Sequence, residues 1–127
     1  MKHILLVDND VLFTRTVSCL LENELFTVTT AKDGKEATDA LEGRHFDLVI
    51  TDLFIPYTNG FELVNSIRTK KSSMHVPVMV VSDVSNKQSI SNCYRLGANV
   101  YLQKPLNMPL LLTEIKNLVL NQHDVAA

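Results

Sequence analysis

The chain has 127 residues, of which 46% are apolar and 20% charged, an ordinary globular balance at the usual size of one domain. That composition excludes a disordered chain and supports a buried core without metal or disulfide staples. A formal net charge of −2 argues against a nucleic-acid binder, and the one small basic run, Arg68, Lys70 and Lys71, reads as a solvated helix end. No apolar stretch approaches membrane-spanning length, and the apolar run before Asp8 is too short for a signal peptide. A cytoplasmic protein is expected, with no membrane contact. Cys19 and Cys93 are expected as core thiols at apolar-facing helix positions.

In chain order, residues 4–7 read as a buried strand. Residues 11–25 follow as a helix, with Phe13, Val17, Leu20 and Leu21 on one face. Residues 26–30 form a β-branched strand, Asp33-Gly34 a turn, and Ala37 and Leu41 begin the next helical face. Residues 48–51 are another buried strand. A loop with Pro56 and Gly60 leads into a helix over 61–68 that turns Val64 and Ile67 inward. Residues 78–81 form a continuous apolar strand. A helix over 86–96 then places Ile90, Cys93 and Leu96 inward and ends at Gly97. The last strand covers 100–102, and Leu111, Ile115 and Leu118 stripe the final helix.

Five strands that are apolar on both faces, alternating with five helices, imply an α/β domain with a parallel sheet covered on each side. One domain is expected over 1–127, with its core at about 2–121 and a tail at 122–127. Right-handed crossovers leave several strand orders open.

In such a sheet all strand C-termini emerge along one edge, where ligands bind. Asp8, Asp52, Ser82 and Lys104 each follow a different strand. An aspartate carboxylate can act as a nucleophile and form an acyl phosphate. Lysine and a hydroxyl can then serve the phosphoryl oxygens. A hard divalent ion prefers oxygen ligands, so Asp8 and Asp52 together suggest a magnesium site. His3, His45, His75 and His123 are scattered without metal-ligand spacing and read as structural or surface residues.

These residues lie within a longer pattern. It comprises Leu5-Leu6-Val7-Asp8-Asn9-Asp10, Ala31-Lys32-Asp33-Gly34-Lys35-Glu36-Ala37, Asp47-Leu48-Val49-Ile50-Thr51-Asp52-Leu53-Phe54-Ile55-Pro56, Asn59-Gly60-Phe61-Glu62-Leu63, Val80-Val81-Ser82, and the stretch from Gly97 through Tyr101 to Lys104-Pro105. In order and spacing it resembles the receiver domains of two-component response regulators, single-domain and chemotaxis-regulator-like. The resemblance implies a flavodoxin-like three-layer sandwich with strand order 2-1-3-4-5. It also implies a regulator rather than an enzyme, which takes a phosphoryl group onto Asp52 from a sensor histidine kinase or phosphotransfer protein. Asp8 and Asp52, with the backbone carbonyl of Phe54 and an auxiliary Asn9, would hold Mg2+ or Mn2+. Lys104 would contact the phosphoryl group, Ser82 would supply the switch hydroxyl and Tyr101 the switch aromatic, turning inward on phosphorylation. A cis Lys104–Pro105 bond is implied too. The helix 4, strand 5 and helix 5 face would then bind a downstream target protein or drive dimerisation. The chain ends soon after its fifth helix, so output is expected through a protein partner.

Two positions depart from the pattern. Asn9 stands where a second acid is usual, which predicts weaker metal binding, and Asp10 has an alternative use as a helix cap. Asp83 follows Ser82 where a small residue is usual and would bring negative charge towards an incoming anion. Phe54 and Val84 add apolar bulk expected to restrict hydrolytic water. Three other readings are weighed. A degenerate receiver would act as a phosphorylation-independent interaction module. A small phosphatase would use Asp8 as nucleophile and Asp10 as acid/base. A flavin protein would want a hydroxyl- and glycine-rich loop after strand one, which Asp8-Asn9-Asp10 does not supply.

Overall fold

A computed structural model describes residues 1–120; the expected tail at 122–127 and His123 lie outside the described residues. The elements run β1 His3–Val7, α1 Val11–Asn23, β2 Thr27–Ala31, α2 Gly34–Gly43, β3 Leu48–Thr51, β4 Phe54–Ile55, β5 Thr58–Asn59, α3 Gly60–Thr69, β6 Val78–Ser82, α4 Lys87–Leu96, β7 Val100–Gln103 and α5 Met108–Leu120. The five long strands are parallel in the order β2-β1-β3-β6-β7, which is the expected 2-1-3-4-5 topology. The short β4–β5 hairpin was not foreseen.

Side chains alternate across each strand, and the two faces sort into two cores. Leu5, Val7, Val49, Val78 and Val80 pack against Ala37 of α2, Leu63, Val64 and Ile67 of α3 and Cys93 of α4. Ile4, Leu6, Leu48, Ile50, Met79 and Val81 pack against Val17 and Leu21 of α1 and Leu111, Ile115 and Val119 of α5. Burial on both faces explains why these strands read as unbroken apolar runs. The same alternation puts Ser82 and Tyr101 on the α4 side of the sheet, because each is an even step from a core residue of its own strand or packs with that core.

Several local expectations need correction. Helix α1 stops at Asn23, not residue 25, because Leu25 takes a left-handed backbone (φ 69°) that a helix cannot continue through. Phe26 then lies outside β2. Cys19 is exposed, not in the core: it falls between the stripe residues Val17 and Leu21, on the opposite side of the helix. Cys93 is buried as expected, and both thiols are free. Asp10 accepts from the N–H groups of Leu12 and Phe13 and so caps α1.

Arg68 is not a solvated helix end. Its guanidinium is half-buried and donates to the carbonyls of Gly97 (3.0 Å), Met74 (3.3 Å) and Val76 and to Asn99 Oδ1 (2.8 Å). Asn99 Oδ1 also accepts from the Val78 N–H (2.8 Å), so one cation ties the end of α3 to the entries of β6 and β7. Replacing Arg68 with Leu strands those carbonyls, and we expect a loss of about 2–3 kcal/mol in urea denaturation. A loss under about 0.5 kcal/mol, the range of an ordinary surface change, would contradict this role.

Candidate functional site

The sheet register decides which residues meet. Val7 pairs with Thr51, Thr51 with Val80, and Ser82 with Gln103. The next residues, Asp8, Asp52 and Lys104, therefore leave the same edge beside Ser82. Backbone bonds hold them there: the Asp8 N–H donates to the Ala31 carbonyl (3.0 Å), Asp52 to Val7 (3.1 Å) and Lys104 to Ser82 (2.9 Å). The Lys104–Pro105 peptide bond is cis, as expected.

Lys104 Nζ donates to Asp8 Oδ2 at 2.9 Å and to Asp52 Oδ2 at 3.1 Å. The remaining oxygens have backbone partners. Asp8 Oδ1 accepts from the Asp10 N–H (2.9 Å), and Asp52 Oδ1 from the Leu53 N–H (2.6 Å). Asp8 is 4% exposed. That burial pushes its carboxyl above the usual carboxylate range, against the opposing pull of Lys104 and the Asp10 N–H. Burial alone would lower the Lys104 ammonium, but its bonds to Asp8 and Asp52 together outweigh this and hold it above its ordinary value. Two carboxylates and one ammonium leave the mouth with a net negative charge.

Behind this edge, Asp52 sits on a tight floor. A Cβ on Gly60 would lie 2.5 Å from the Asp52 carbonyl oxygen and 2.8 Å from Leu53 Cα, so only glycine lets α3 begin this close. The hairpin after Asp52 turns at Pro56-Tyr57, with Tyr57 in a left-handed conformation (φ 71°), the pattern of a type II turn. Phe54 and Tyr57 stand mostly in solvent on this hairpin.

Ser82 is fully buried, and its Oγ accepts from the Val84 N–H at 3.2 Å. Tyr101 packs against the α4-side core and its hydroxyl donates to the Val84 carbonyl. The ring is thus already on the inner side, where the resemblance implies that it turns inward only on phosphorylation. Burial raises the Tyr101 hydroxyl pKa. From α4, the Tyr94 hydroxyl accepts from the Tyr101 N–H (3.0 Å) at the outer edge of β7, a contact not read from the sequence. Asn9 and Asp83 are exposed, while Val84 is partly buried against the core.

The donor set bears on the expected metal. Asp10 is committed to α1, and among the described residues no three His, Cys, Asp or Glu side chains converge as a metal cluster. Asp8 and Asp52 nevertheless share one mouth, with oxygen donors only and uncompensated negative charge, which suits a hard divalent ion.

The chain matches the response regulator receiver domain family over residues 4–116. It is a member of that family. A two-component response regulator of Oryza sativa subsp. indica is 30% identical over 105 residues, 82% of this chain and 80% of that protein. A probable transcriptional regulator of Pyropia yezoensis is 30% identical over 116 residues, 91% of this chain and 52% of that protein. The chain spans about half the length of several curated relatives it matches. Among solved structures, a CheY-like receiver domain from Methanospirillum hungatei JF-1 superposes with a TM-score of 0.90 at 27% identity, covering 98% of each chain. A chemotaxis response regulator of Vibrio cholerae gives 0.87 at 28% identity, covering 93% of this chain and 98% of that one. The flavodoxin-like receiver fold is therefore the fold of this chain. Among the described residues no helix is long and apolar enough to cross a membrane.

The central cluster makes a stability prediction. In Lys104→Met, Asp8 and Asp52 keep their burial but lose their counter-ion. The Asp8 carboxyl, already raised by burial, then loses the opposing pull of Lys104 and rises further, so the folded chain binds more protons than the unfolded one and stability falls as pH increases through that window. We expect a deficit of about 1–3 kcal/mol against wild type at neutral pH, shrinking as pH falls towards about 4, the range of an aspartate in the unfolded chain. Urea melts at both pH values test this; an equal deficit at both would contradict it.

Proposed function

We propose that this receiver domain is a phosphoaccepting switch in which Asp52 is the acceptor. The observation that carries the reading is the Lys104 ammonium shared by Asp8 Oδ2 and Asp52 Oδ2 at the ends of adjacent parallel strands. A carboxylate oxygen of Asp52 attacks the donor's phosphorus, and the leaving group departs with the bond's electron pair. Lys104 neutralises charge on the phosphoryl oxygens as a compact cation with rotatable donors. Asp8, Asp52 and the Phe54 carbonyl would hold Mg2+ or Mn2+, with Asn9 as a weaker auxiliary; the ion would neutralise charge between the donor phosphate and the carboxylates.

On this reading the signal passes through Ser82. Its hydroxyl is drawn to the new acceptor oxygens, which disturbs its bond from the Val84 N–H. Val84 in turn carries Tyr101 through its carbonyl. Because the Tyr101 ring already packs inward, the switch is better described as a change in the Ser82–Val84–Tyr101 bonds than as a swing of the ring from solvent. The face of α4, β7 and α5 would respond, biasing binding of a target protein or a second copy. The proposed donor is a sensor histidine kinase or phosphotransfer protein, and the proposed setting is the cytoplasm. Val84 is better placed than the solvent-facing Phe54 to restrict hydrolytic water. The exposed Asp83 has room to keep its charge in solvent.

A second reading, a degenerate receiver, is favoured by one observation: with Asp10 used as a cap and an amide at position 9, only Asp8 and Asp52 among the described carboxylates meet Lys104 in the mouth. The same cap, which engages Asp10 Oδ1 with two backbone N–H groups, counts against Asp10 as the acid/base of an Asp8 phosphatase.

Incubation with magnesium and acetyl phosphate, read by intact mass, separates these readings. The switch reading expects one added phosphoryl group in the wild type and none in Asp52→Asn. An unlabelled wild type would support the degenerate module, and labelling that depends on Asp8 but persists in Asp52→Asn would support the phosphatase. In a separate titration, Asn9→Asp should bind magnesium at least about threefold more tightly, because a full charge replaces an amide dipole at the mouth. Unchanged affinity would exclude position 9 from the ion's surroundings.

A further inference from the structure

We infer that Phe13 is a positioning residue for phosphoryl acceptance, holding the Lys104 ammonium in the mouth through the face of its ring. The inference rests on the proposed role of Asp52. Lys104 Nζ lies 4.3 Å from the centroid of the Phe13 ring while it donates to Asp8 and Asp52. The ring itself is fixed from below. Phe13 is partly buried against the α1–α5 core, and its own N–H donates to the capping carboxylate of Asp10 at 3.2 Å. The same Asp10 cap that starts α1 thus also anchors the backbone that carries this aromatic.

The chemistry gives the ring a task that another polar group could not perform. An ammonium has three N–H donors and no acceptor. Two are engaged by the carboxylates. A third carboxylate or carbonyl would consume the last donor and hold Lys104 away from an arriving phosphoryl group. A ring face attracts the cation through its quadrupole without needing a directed donor. It also closes one side of the ammonium to water. Lys104 stays at the mouth with donor capacity left for a phosphoryl oxygen. A leucine would keep an apolar side chain at this place in α1 but would lack the quadrupole.

Three measurements on the purified protein test this. A ring 4.3 Å beneath Nζ should shift the Lys104 ε-methylene proton signals upfield, in wild type and in Phe13→Tyr but not in Phe13→Leu. Labelling of Asp52 by acetyl phosphate should slow about three- to tenfold in Phe13→Leu and return to within about twofold of wild type in Phe13→Tyr. In a Lys104→Ala background, Phe13→Leu should cost nothing further. Cooperative urea melts confirm that each variant is folded. A folded Phe13→Leu that labels at the wild-type rate would overturn the role. So would a full additional loss in the Lys104→Ala background, which would mark Phe13 as merely structural. Labelling without a ring-current shift overturns the Phe13 role alone. A wild type that takes no label removes the acceptor reading and the positioning role with it.

Discussion

A single ammonium placed between two carboxylates is the constraint on which the rest of the site depends. Asp8 and Asp52 leave neighbouring strands at the same level and would repel one another in this half-buried mouth. Lys104 meets both, and its stem has to reach them from β7, on the far side of β6 from β3. The parallel sheet solves that problem by delivering every strand end to one edge. The charge is not fully balanced, and burial still raises the Asp8 pKa despite the bridging cation. A site held in this condition favours an arriving cation, or a change in the carboxylate itself, more than a neutralised one would. The proposed acyl-phosphate chemistry at Asp52 would exploit that condition, because it would alter both the charge of one carboxylate and the partners available to Lys104.

The surrounding elements make that small change transmissible. Ser82 ends β6 on the α4 side, where it meets the Val84 N–H, and Val84 accepts from Tyr101. Tyr101 is also held at its backbone by the Tyr94 hydroxyl of α4. A disturbance at Ser82 therefore has a hydrogen-bonded route to the edge strand and to α4. Beneath Asp52, the close approach of Gly60 joins its backbone to the start of α3. Arg68, at the other end of α3, ties that end to the entries of β6 and β7.

The fold was legible in the sequence because its signals are local and repetitive. Apolar runs buried on both faces, separated by helical stripes, identify a covered parallel sheet without any knowledge of strand order. Asp8, Asp52, Ser82 and Lys104 were legible for a related reason: each sits at a strand end, and a parallel sheet brings strand ends together whatever its order. What was hidden depends on direction within an element or on contacts between distant ones. Cys19 was misplaced because one residue of helical rotation separates the core stripe from solvent. The end of α1 was missed because nothing in the identity of Leu25 announces a positive φ. Arg68 looked like part of a charged helix end, since its carbonyl partners are backbone groups with no sequence signature. Phe13 was read as an ordinary core residue of α1, and only the arrival of Lys104 over its ring, 91 residues along the chain, gives it another part.

The most direct test of the central claim is a crystal structure of the protein with magnesium and beryllofluoride, a stable mimic of an aspartyl phosphate. The account predicts beryllofluoride bonded to an Asp52 oxygen, with Lys104 Nζ within hydrogen-bond distance of one of its fluorides. A complex in which Asp52 stays unmodified and Lys104 still bridges the two free carboxylates, with protein and beryllofluoride both in excess of any binding requirement, would contradict it.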